Sequence, residues 1–414
     1  MDVSDWVIQC PKYTTFRINI LKPFNSKKLQ ETLVNQSIEL NAKHIPDYNC
    51  LKQDCLILSQ WDEDVGVETS GIEVVVDAAC AAAVLRGAHV FAPAVMSLTP
   101  NCKAGMKVDI YGDLEGKCKR GLKVPYDGEK LYVGTGILKM SRFELFDNGV
   151  QPKGIAIHTL LPASKLPVVN ETMYPKGYLL LQNLPSIVCS WVLNAQADEY
   201  ILDMCAAPGN KTTHLGEMSK NKAFIIAIDK TPQKVLKIQE KCEAHGVTCV
   251  TPYCFDSTKC CSEDSSGING GPPFPPDSFD KILLDAPCSG LGQRPQLGKK
   301  VMSLNMLKSY TIVQKKLMTN AVKLLKPGGR LVYSTCTTTV DENEALVSWA
   351  LEKFPNLKLI PAEPFHGGPG LPGVGLSDEQ RVLVQRFGPE IDELRLVEEK
   401  YRDHIGFFIA AFSK

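Results

Sequence analysis

The second half of the chain repeats short apolar runs without polar alternation, and an amphipathic segment follows most of them. Such runs are typical of parallel strands buried on both faces, and the amphipathic segments are typical of helices that cover a sheet. Regular strand–helix alternation predicts a doubly wound, Rossmann-like α/β domain. The predicted strands are Tyr200–Met204, Phe224–Asp229, Val247–Tyr253, Lys281–Leu284 and Arg330–Ser334.

Turn-forming residues and a final apolar run complete this prediction. Pro327-Gly328-Gly329 should stop the helix before the last of the five strands. The stretch 262–277 is rich in Ser, Gly and Pro, so we expect a flexible loop there. The apolar run 406–412 predicts one more strand that closes the sheet.

The first 166 residues have a different texture. Residues 14–20 alternate like a half-buried strand, a helix should follow from Ser26, and residues 55–58 predict a returning strand. From Glu73 onward, short strands with glycine-rich turns predict a small β-barrel. We therefore predict an N-terminal α/β module at 1–72, a β-barrel at 73–166 and the Rossmann-like domain at 167–414. A carbohydrate-binding or peptide-binding barrel would show the same pattern.

The formal charges cancel, with 46 basic and 46 acidic residues, which argues against tight nonspecific nucleic-acid binding. Their distribution is uneven, because residues 286–340 contain nine Lys or Arg and no Asp or Glu. We interpret this stretch as the footprint of a polyanionic substrate, with a solvated basic helix face as the alternative.

Further bounds come from what the sequence lacks. There is no apolar run of the ~20 residues that a membrane span needs and no signal-peptide pattern, so we expect a cytoplasmic monomer away from membranes. The fifteen cysteines form no regular framework and fit reduced thiols. Five of them cluster between residues 242 and 261, but the spacing does not suit zinc, and we expect no metal site.

Two thiols come directly after predicted strands. Cys288 follows Asp285-Ala286-Pro287, and Cys336 lies within Thr335-Cys336-Thr337. In an open α/β sheet the carboxyl ends of the strands form the ligand-binding edge. If the two strands are neighbours, two cysteines and a carboxylate share one crevice, which suits covalent chemistry.

A second constellation predicts a nucleoside ligand. The loop 205–211 joins the first strand to a helix, and its small residues would let a ligand lie against the backbone. Asp229 ends the second strand, where it could accept hydrogen bonds from a ribose diol, and Asp256 follows the third. A dinucleotide could use the same devices, but the G-x-G-x-x-G fingerprint is absent, so S-adenosylmethionine is the better candidate.

Three motifs carry a resemblance to a known family. Residues 202–212, 285–290 and 333–337, in that order, resemble the Nop/Sun family of RNA (cytosine-5) methyltransferases. The run 74–95, centred on Leu85-Arg86-Gly87-Ala88-His89-Val90, resembles a PUA RNA-binding domain. The combination resembles the PUA-containing members of the family that act on transfer RNA.

The resemblance implies S-adenosylmethionine as the cofactor and assigns a set of residues to it. Asn210 stands where most members carry glycine, which could change the cofactor affinity. The implied cofactor-binding residues are Cys205, Ala206, Ala207, Pro208, Gly209, Asn210, Lys211, Asp229, Asp256 and Asp285.

The resemblance also implies catalytic roles. It makes Cys336 the nucleophile and gives Cys288 the release of product, whereas the chemistry alone does not choose between the two thiols. Asp285 would bind the cytosine ring edge, and Lys211 would favour a thiolate. The implied substrate is an acceptor-stem cytosine next to the discriminator base of transfer RNA, which must be single-stranded or flipped out. Messenger RNA stays open as a further substrate.

Two other functions fit the sequence less well. One is an RNA-binding scaffold that keeps the methyltransferase fold without turnover, and the other is a DNA cytosine-5 methyltransferase that uses Cys288 as its nucleophile.

Overall fold

The computed structural model describes residues 3–147, 149, 151–169, 173–265, 267–298, 302–389 and 399–414. Within these ranges no helix is both long and apolar enough to cross a membrane. The elements are, in chain order, α1 (Val3–Ile8), β1 (Tyr13–Ile18), α2 (Ser26–Glu39), β2 (Tyr48–Lys52), β3 (Cys55–Ser59), β4 (Glu73–Asp77), α3 (Ala78–Leu85), β5 (Val90–Phe91), β6 (Val95–Leu98), β7 (Lys107–Asp113), β8 (Lys130–Leu138), β9 (Ile155–Pro162), β10 (Leu179–Leu181), α4 (Leu184–Leu193), β11 (Tyr200–Asp203), α5 (Asn210–Met218), β12 (Phe224–Asp229), α6 (Pro232–His245), β13 (Val250–Cys254), β14 (Phe279–Asp285), α7 (Leu304–Leu324), β15 (Leu325–Thr335), α8 (Glu344–Lys353), β16 (Lys358–Ile360), α9 (Asp378–Arg381), β17 (Gln385–Phe387), α10 (Glu399–Arg402) and β18 (Phe407–Ser413).

The largest sheet has the strand order β13-β12-β11-β14-β15-β18-β16, and β17 also pairs with β18. The first five strands are parallel, whereas β18 runs antiparallel to both of its neighbours in that order. The predicted Rossmann-like α/β fold is therefore confirmed. The terminal apolar run forms β18 beside β15, but it does not close the sheet as expected, because β16 pairs with its other side.

The central strands lack polar alternation because both of their faces are covered. Successive residues of a strand point to opposite faces. In β14, Ile282 and Leu284 belong to the apolar core on one side, while Leu283 belongs to the core on the other side. All three side chains are fully buried. This packing holds rigidly the strand ends that carry the candidate chemistry.

The expectation of a flexible loop at 262–277 was wrong for its second half. Phe274 is fully buried, and its ring packs edge to face against the ring of Phe279 with 5.2 Å between the ring centroids. Its backbone also pairs with the segment around Cys261. The predicted helix stop is also displaced, because α7 ends at Leu324 and Pro327-Gly328-Gly329 lies inside β15.

A four-stranded sheet has the order β10-β1-β3-β2. Its strand β10 comes from residues 179–181, after the barrel region, and pairs antiparallel with β1. The N-terminal sheet is therefore completed by a strand from the other side of the barrel. The α1 helix, which was not predicted, contacts the loop that follows β14, where Gln296 N donates to the carbonyl of Val7 at 2.7 Å.

The third sheet has the order β5-β9-β8-β7-β4-β6. Its two edge strands, β5 and β6, are separated in the chain only by residues 92–94. So short a connection forces the two edges close together, so the sheet must curl toward closure. Its interior is apolar and includes Val74, Val76 and Val108. The architecture agrees with a small barrel, while its identity as a PUA domain and the boundaries 1–72, 73–166 and 167–414 stay predictions.

Replacing Phe274 with alanine should destabilise the protein by about 3–5 kcal/mol, because the ring is fully enclosed and leaves a cavity. Urea unfolding followed by circular dichroism measures this. Glu263→Ala, at an exposed position of the same segment, is the control and should change stability by about 0.5 kcal/mol or less. A Phe274→Ala protein as stable as the control would contradict the anchoring role.

Candidate active site

Cys288 and Cys336 lie side by side at the carboxyl edge of the large sheet. The strands β14 and β15 are parallel neighbours with Asp285 opposite Ser334, so the segments that follow them emerge together. The two Sγ atoms are 3.4 Å apart, and both cysteines are half-buried. The shared crevice inferred from the strand pattern is therefore present.

A carboxylate and an ammonium group lie next to the thiols. Lys211 Nζ donates to Asp285 Oδ2 at 2.7 Å, and Ser334 Oγ donates to Asp285 Oδ1 at 2.7 Å. Burial would lower the pKa of Lys211, but the carboxylate of Asp285 outweighs it and the pKa is raised. Lys211 therefore stays positively charged at neutral pH.

The thiol pair is electrostatically asymmetric. The hydrogen bond from Cys288 lowers the pKa of Cys336, and it outweighs the effect of burial in the opposite direction. The side chain of Gln293 and the charge of Lys211 lower it further, whereas the carboxylate of Asp285 raises it. The same bond and burial raise the pKa of Cys288 above its ordinary value. These shifts favour Cys336 as the thiolate of the pair and Cys288 as the sulfur that holds the proton.

The buried residue Glu342, which was not predicted from the sequence motifs, joins the two loops that carry the thiols. Glu342 Oε2 accepts from the backbone N–H of Ser289 at 3.0 Å and from Gln314 Nε2 at 2.9 Å. Its Oε1 accepts from Thr339 Oγ1 at 2.8 Å. The only signal in the sequence is its place, among the first acidic residues after the acid-free stretch.

The predicted cofactor loop runs from β11 into α5. Gly209 has φ 99°, a left-handed conformation that favours glycine, and α5 begins directly after it. Ala207 N donates to Asp229 Oδ2 at 3.1 Å, which ties the loop to the end of β12. Asp229 is only 6% exposed, and its other oxygen accepts from Lys234 Nζ at 3.0 Å.

Two buried oxygens at this loop have no hydrogen-bond partner among the described residues, Asn210 Oδ1 and Asp203 Oδ1. Burial raises the pKa of Asp203 to about 7, and its other oxygen accepts from Thr212 Oγ1 at 2.7 Å. Buried polar atoms normally find a partner in the protein or in a ligand. The two unpaired acceptor oxygens therefore fit a ligand that donates hydrogen bonds, as a nucleoside does.

The remaining predicted cofactor residues surround this loop. Asp256 caps a short 3₁₀ turn after β13, and the hydroxyl of Thr258 and the ammonium group of Lys230 keep its pKa low. Burial raises the pKa of Cys205 well above its ordinary value, so this thiol is neutral and packs against the core. Ala206 is buried, and Pro208 is exposed on the rim.

The comparisons with known proteins agree with this geometry. Residues 190–413 match the model of the family described as 16S rRNA methyltransferase RsmB/F. The human tRNA (cytosine(72)-C(5))-methyltransferase NSUN6 is 42% identical over 426 residues, which cover 98% of this chain and 89% of that protein. This chain belongs to the RsmB/F family.

Archaeal proteins of this family are also similar. The tRNA (cytosine(72)-C(5))-methyltransferase of Pyrococcus horikoshii is 35% identical over 82% of this chain and 75% of that protein. The crystal structure of NSun6 from P. horikoshii with SFG superposes with a TM-score of 0.73 at 31% identity, covering all of this chain and 93% of that one. SFG is an analogue of S-adenosylmethionine.

The protein is, as an RsmB/F family member, an S-adenosylmethionine-dependent RNA (cytosine-5) methyltransferase. The resemblance seen in its motifs is confirmed.

The acid-free stretch 286–340 does not form one basic surface in this RsmB/F protein. Arg294 is buried, donates to the carbonyl of Trp6 and pairs with Asp403 at 2.6 Å. The α7 helix leads from the thiol edge back to the start of β15, so its last basic residue, Lys323, lies at the opposite edge of the sheet. Lys299 and Lys300 fall outside the described residues. A solvated helix face therefore explains much of the pattern.

The alkylation of Cys336 by iodoacetamide should respond to pH through its lowered pKa. The thiolate is the reactive form, so the rate rises with pH, and its midpoint should lie below the ~8.5 of an ordinary thiol. Replacing Cys288 with alanine removes the hydrogen bond and should move the midpoint upward. Mass spectrometry of the peptide that contains Cys336 measures the rate.

Cys254→Ala is the matched control, because this exposed cysteine lies on β13 at the far edge of the sheet. In this variant, the pH midpoint for alkylation of Cys336 should equal that of the wild-type protein. An unchanged midpoint in Cys288→Ala would contradict the asymmetric pair.

Proposed function

We propose that this protein forms 5-methylcytosine in transfer RNA through a covalent bond between Cys336 and the target cytosine. The observation that carries the proposal is the pair of thiols 3.4 Å apart beside the ion pair of Lys211 and Asp285. The similar human and archaeal proteins are named for cytosine 72 of tRNA, which supports an acceptor-stem target.

The chemistry starts at Cys336. Carbon 5 of cytosine is a weak nucleophile, and a thiolate that adds to carbon 6 makes the ring electron-rich at carbon 5. The lowered pKa of Cys336 provides the thiolate near neutral pH. S-adenosylmethionine, when bound, supplies the methyl group that carbon 5 receives.

Cys288 completes the reaction. After methylation, the proton on carbon 5 must leave before the bond from Cys336 Sγ to carbon 6 can break. Cys288 Sγ lies in contact with Cys336 Sγ and so faces the same ring. Once Cys336 Sγ is bonded to carbon 6 it no longer shares a hydrogen with Cys288, and Cys288 releases its own proton to solvent. As a thiolate, Cys288 then takes the proton from carbon 5, and the electron pair of the C–H bond re-forms the carbon 5–carbon 6 double bond as Cys336 leaves as a thiolate.

Asp285 and Lys211 act on the ring and on the thiols. Asp285 is the more exposed of the two and faces the crevice, where it would accept or share a hydrogen at the cytosine edge. Lys211 holds that carboxylate and lowers the pKa of Cys336 by its charge. The loop 205–211 with Asp229 and Asp256 would hold the cofactor, with Asn210 adding an unpaired amide oxygen.

A cavity lies between the thiol pair and the barrel. This cavity of about 220 Å³ lies where the three sheets meet, lined among others by Arg86 after α3, Tyr13 of β1 and Gln293. Gln293 contacts Cys336, so the cavity adjoins the thiol pair. We propose that the barrel is a PUA domain that holds the single-stranded end of the RNA and that the flipped cytosine enters beside this cavity.

A monomeric state and a cytoplasmic location are further parts of this proposal, and messenger RNA stays open as a second substrate.

Incubation with transfer RNA and methyl-labelled S-adenosylmethionine should place the label on carbon 5 of an acceptor-stem cytosine. Cys336→Ala should lower transfer on the order of 10³-fold or more, because no other group replaces the nucleophile. Cys288→Ala should accumulate an RNA–protein adduct that survives denaturation, since release is blocked. Nuclease digestion with mass spectrometry and denaturing gels measure both effects.

Each alternative has its own outcome in the same experiment. A DNA methyltransferase that uses Cys288 would label DNA and would lose the adduct in Cys288→Ala. A scaffold without turnover would bind RNA and transfer no label. Cys254→Ala, remote from the crevice, should retain wild-type transfer.

A further inference from the structure

A guanidinium from the N-terminal sheet contacts the helix that carries the candidate cofactor lysine. Arg17 of β1 has no solvent exposure. Its Nη1 donates to the backbone carbonyl of Asn210, and its Nη2 donates to Thr213 Oγ1 at 2.8 Å. Asn210 and Thr213 bracket Lys211 in the first turn of α5. Arg17 therefore holds this turn from the side of the N-terminal sheet, while Lys211 extends from the same turn toward the crevice.

The front of the same turn makes the contacts of the candidate site. Lys211 pairs with Asp285, and Thr212 donates to Asp203, which ends β11. A shift of the turn by a few tenths of an ångström would lengthen both contacts at once. Catalytic constellations depend on such supporting contacts to stay in productive geometry.

The charge of Arg17 is compensated within the interface. Its Nη2 forms a salt bridge of 3.0 Å with Glu217 Oε1 on α5, and both side chains are fully buried. His245 Nδ1 lies 3.2 Å from the same Nη2 and 2.9 Å from that carboxylate oxygen. Gln182 Oε1 accepts from Nη1 at 3.0 Å. The planar guanidinium group of Arg17 has several N–H donors and can reach all these partners together, whereas the ammonium group of a lysine is a single point charge.

We propose that Arg17 is a positioning residue for cofactor binding, through which the N-terminal sheet sets the first turn of α5 and the loop 205–211. The inference rests on the proposed function in that it takes this loop as the S-adenosylmethionine site. The N-terminal sheet is then part of the catalytic unit, and its docking and cofactor binding favour each other reciprocally.

A purely structural role for Arg17 makes a different prediction, and Asn19 provides the comparison. Asn19 follows β1 in the same chain segment and is also buried. Its Nδ2 donates to the carbonyls of Gly177 and His245 at 2.8 and 2.7 Å, at the end of α6. It therefore joins the same sheet to the same domain without touching α5.

The test uses the full-length protein with Arg17→Lys, the double variant Arg17→Met with Glu217→Gln, and Asn19→Ala as the control. The double variant removes both members of the buried ion pair, so that no uncompensated charge remains. Titration calorimetry measures S-adenosylmethionine binding without RNA, and steady-state assays separate the KM for the cofactor from kcat. Circular dichroism establishes that each variant is folded.

Both Arg17 variants should weaken cofactor binding by about tenfold, in line with the loss of charge-assisted hydrogen bonds, and should raise the KM for the cofactor more than they lower kcat. Asn19→Ala should stay within about twofold of the wild-type affinity. Wild-type affinity in either folded Arg17 variant, or an equal loss in Asn19→Ala, would overturn the proposal.

The outcome is separable from that of the proposed function. A wild-type protein that binds S-adenosylmethionine but labels no transfer RNA would contradict the substrate, while the ranking of the Arg17 and Asn19 variants would still decide the positioning role. A wild-type protein with no measurable cofactor affinity would overturn the positioning role itself.

Discussion

Parallel pairing of β14 with β15 is the constraint on which the candidate site depends. The register places Asp285 opposite Ser334, and each strand continues into a short loop that carries one thiol. Because parallel strands end at the same edge of the sheet, the loops that carry the two sulfur atoms begin side by side. A slip of one residue in this register would turn one set of side chains to the other face and separate the pair. Apolar cores on both sides of β14 hold that register.

Around this pair, the charged groups are arranged so that one proton is shared between two sulfur atoms. Lys211 remains protonated because Asp285 offsets its burial, and its charge favours the thiolate at Cys336. Glu342 holds the backbone beside Cys288 through Ser289 and reaches Thr339 after Cys336. The carboxylate of Glu342 therefore couples the two loops, and Cys336 is favoured as the thiolate while Cys288 holds the proton.

Short-range patterns predicted much of this arrangement. The unbroken apolar runs located the central strands, since burial on both faces leaves the same signature in any parallel sheet. Asp285 at the end of β14, and Cys288 and Cys336 in the loops that follow β14 and β15, were predicted from the position of each motif. The pattern could not reveal contacts between distant parts of the chain. Arg17 alternates correctly for a strand, and nothing local indicates that its side chain ends at α5.

Polar signals were less reliable than apolar ones. The acid-free stretch suggested one basic surface, but α7 carries its basic residues to opposite edges of the sheet. Arg294 is buried and forms an ion pair with Asp403. The Ser-Gly-Pro composition of 262–277 suggested mobility, and one buried ring, Phe274, overrides it. Charge and loop composition describe a segment's chemistry, whereas its location in space is decided by the packing of the apolar residues around it.

The position of the barrel between β3 and β10 has a consequence for biosynthesis. The partner of Phe16 in the N-terminal sheet is Leu181, so β1 remains an open edge while the whole barrel is being translated. Unpaired strand edges invite association with other chains. The barrel can meanwhile bury its own apolar interior, because all six of its strands are consecutive. A nascent chain would thus carry a finished barrel beside an unfinished sheet, and the emergence of residues 179–181 from the ribosome is the moment at which that exposed edge is closed.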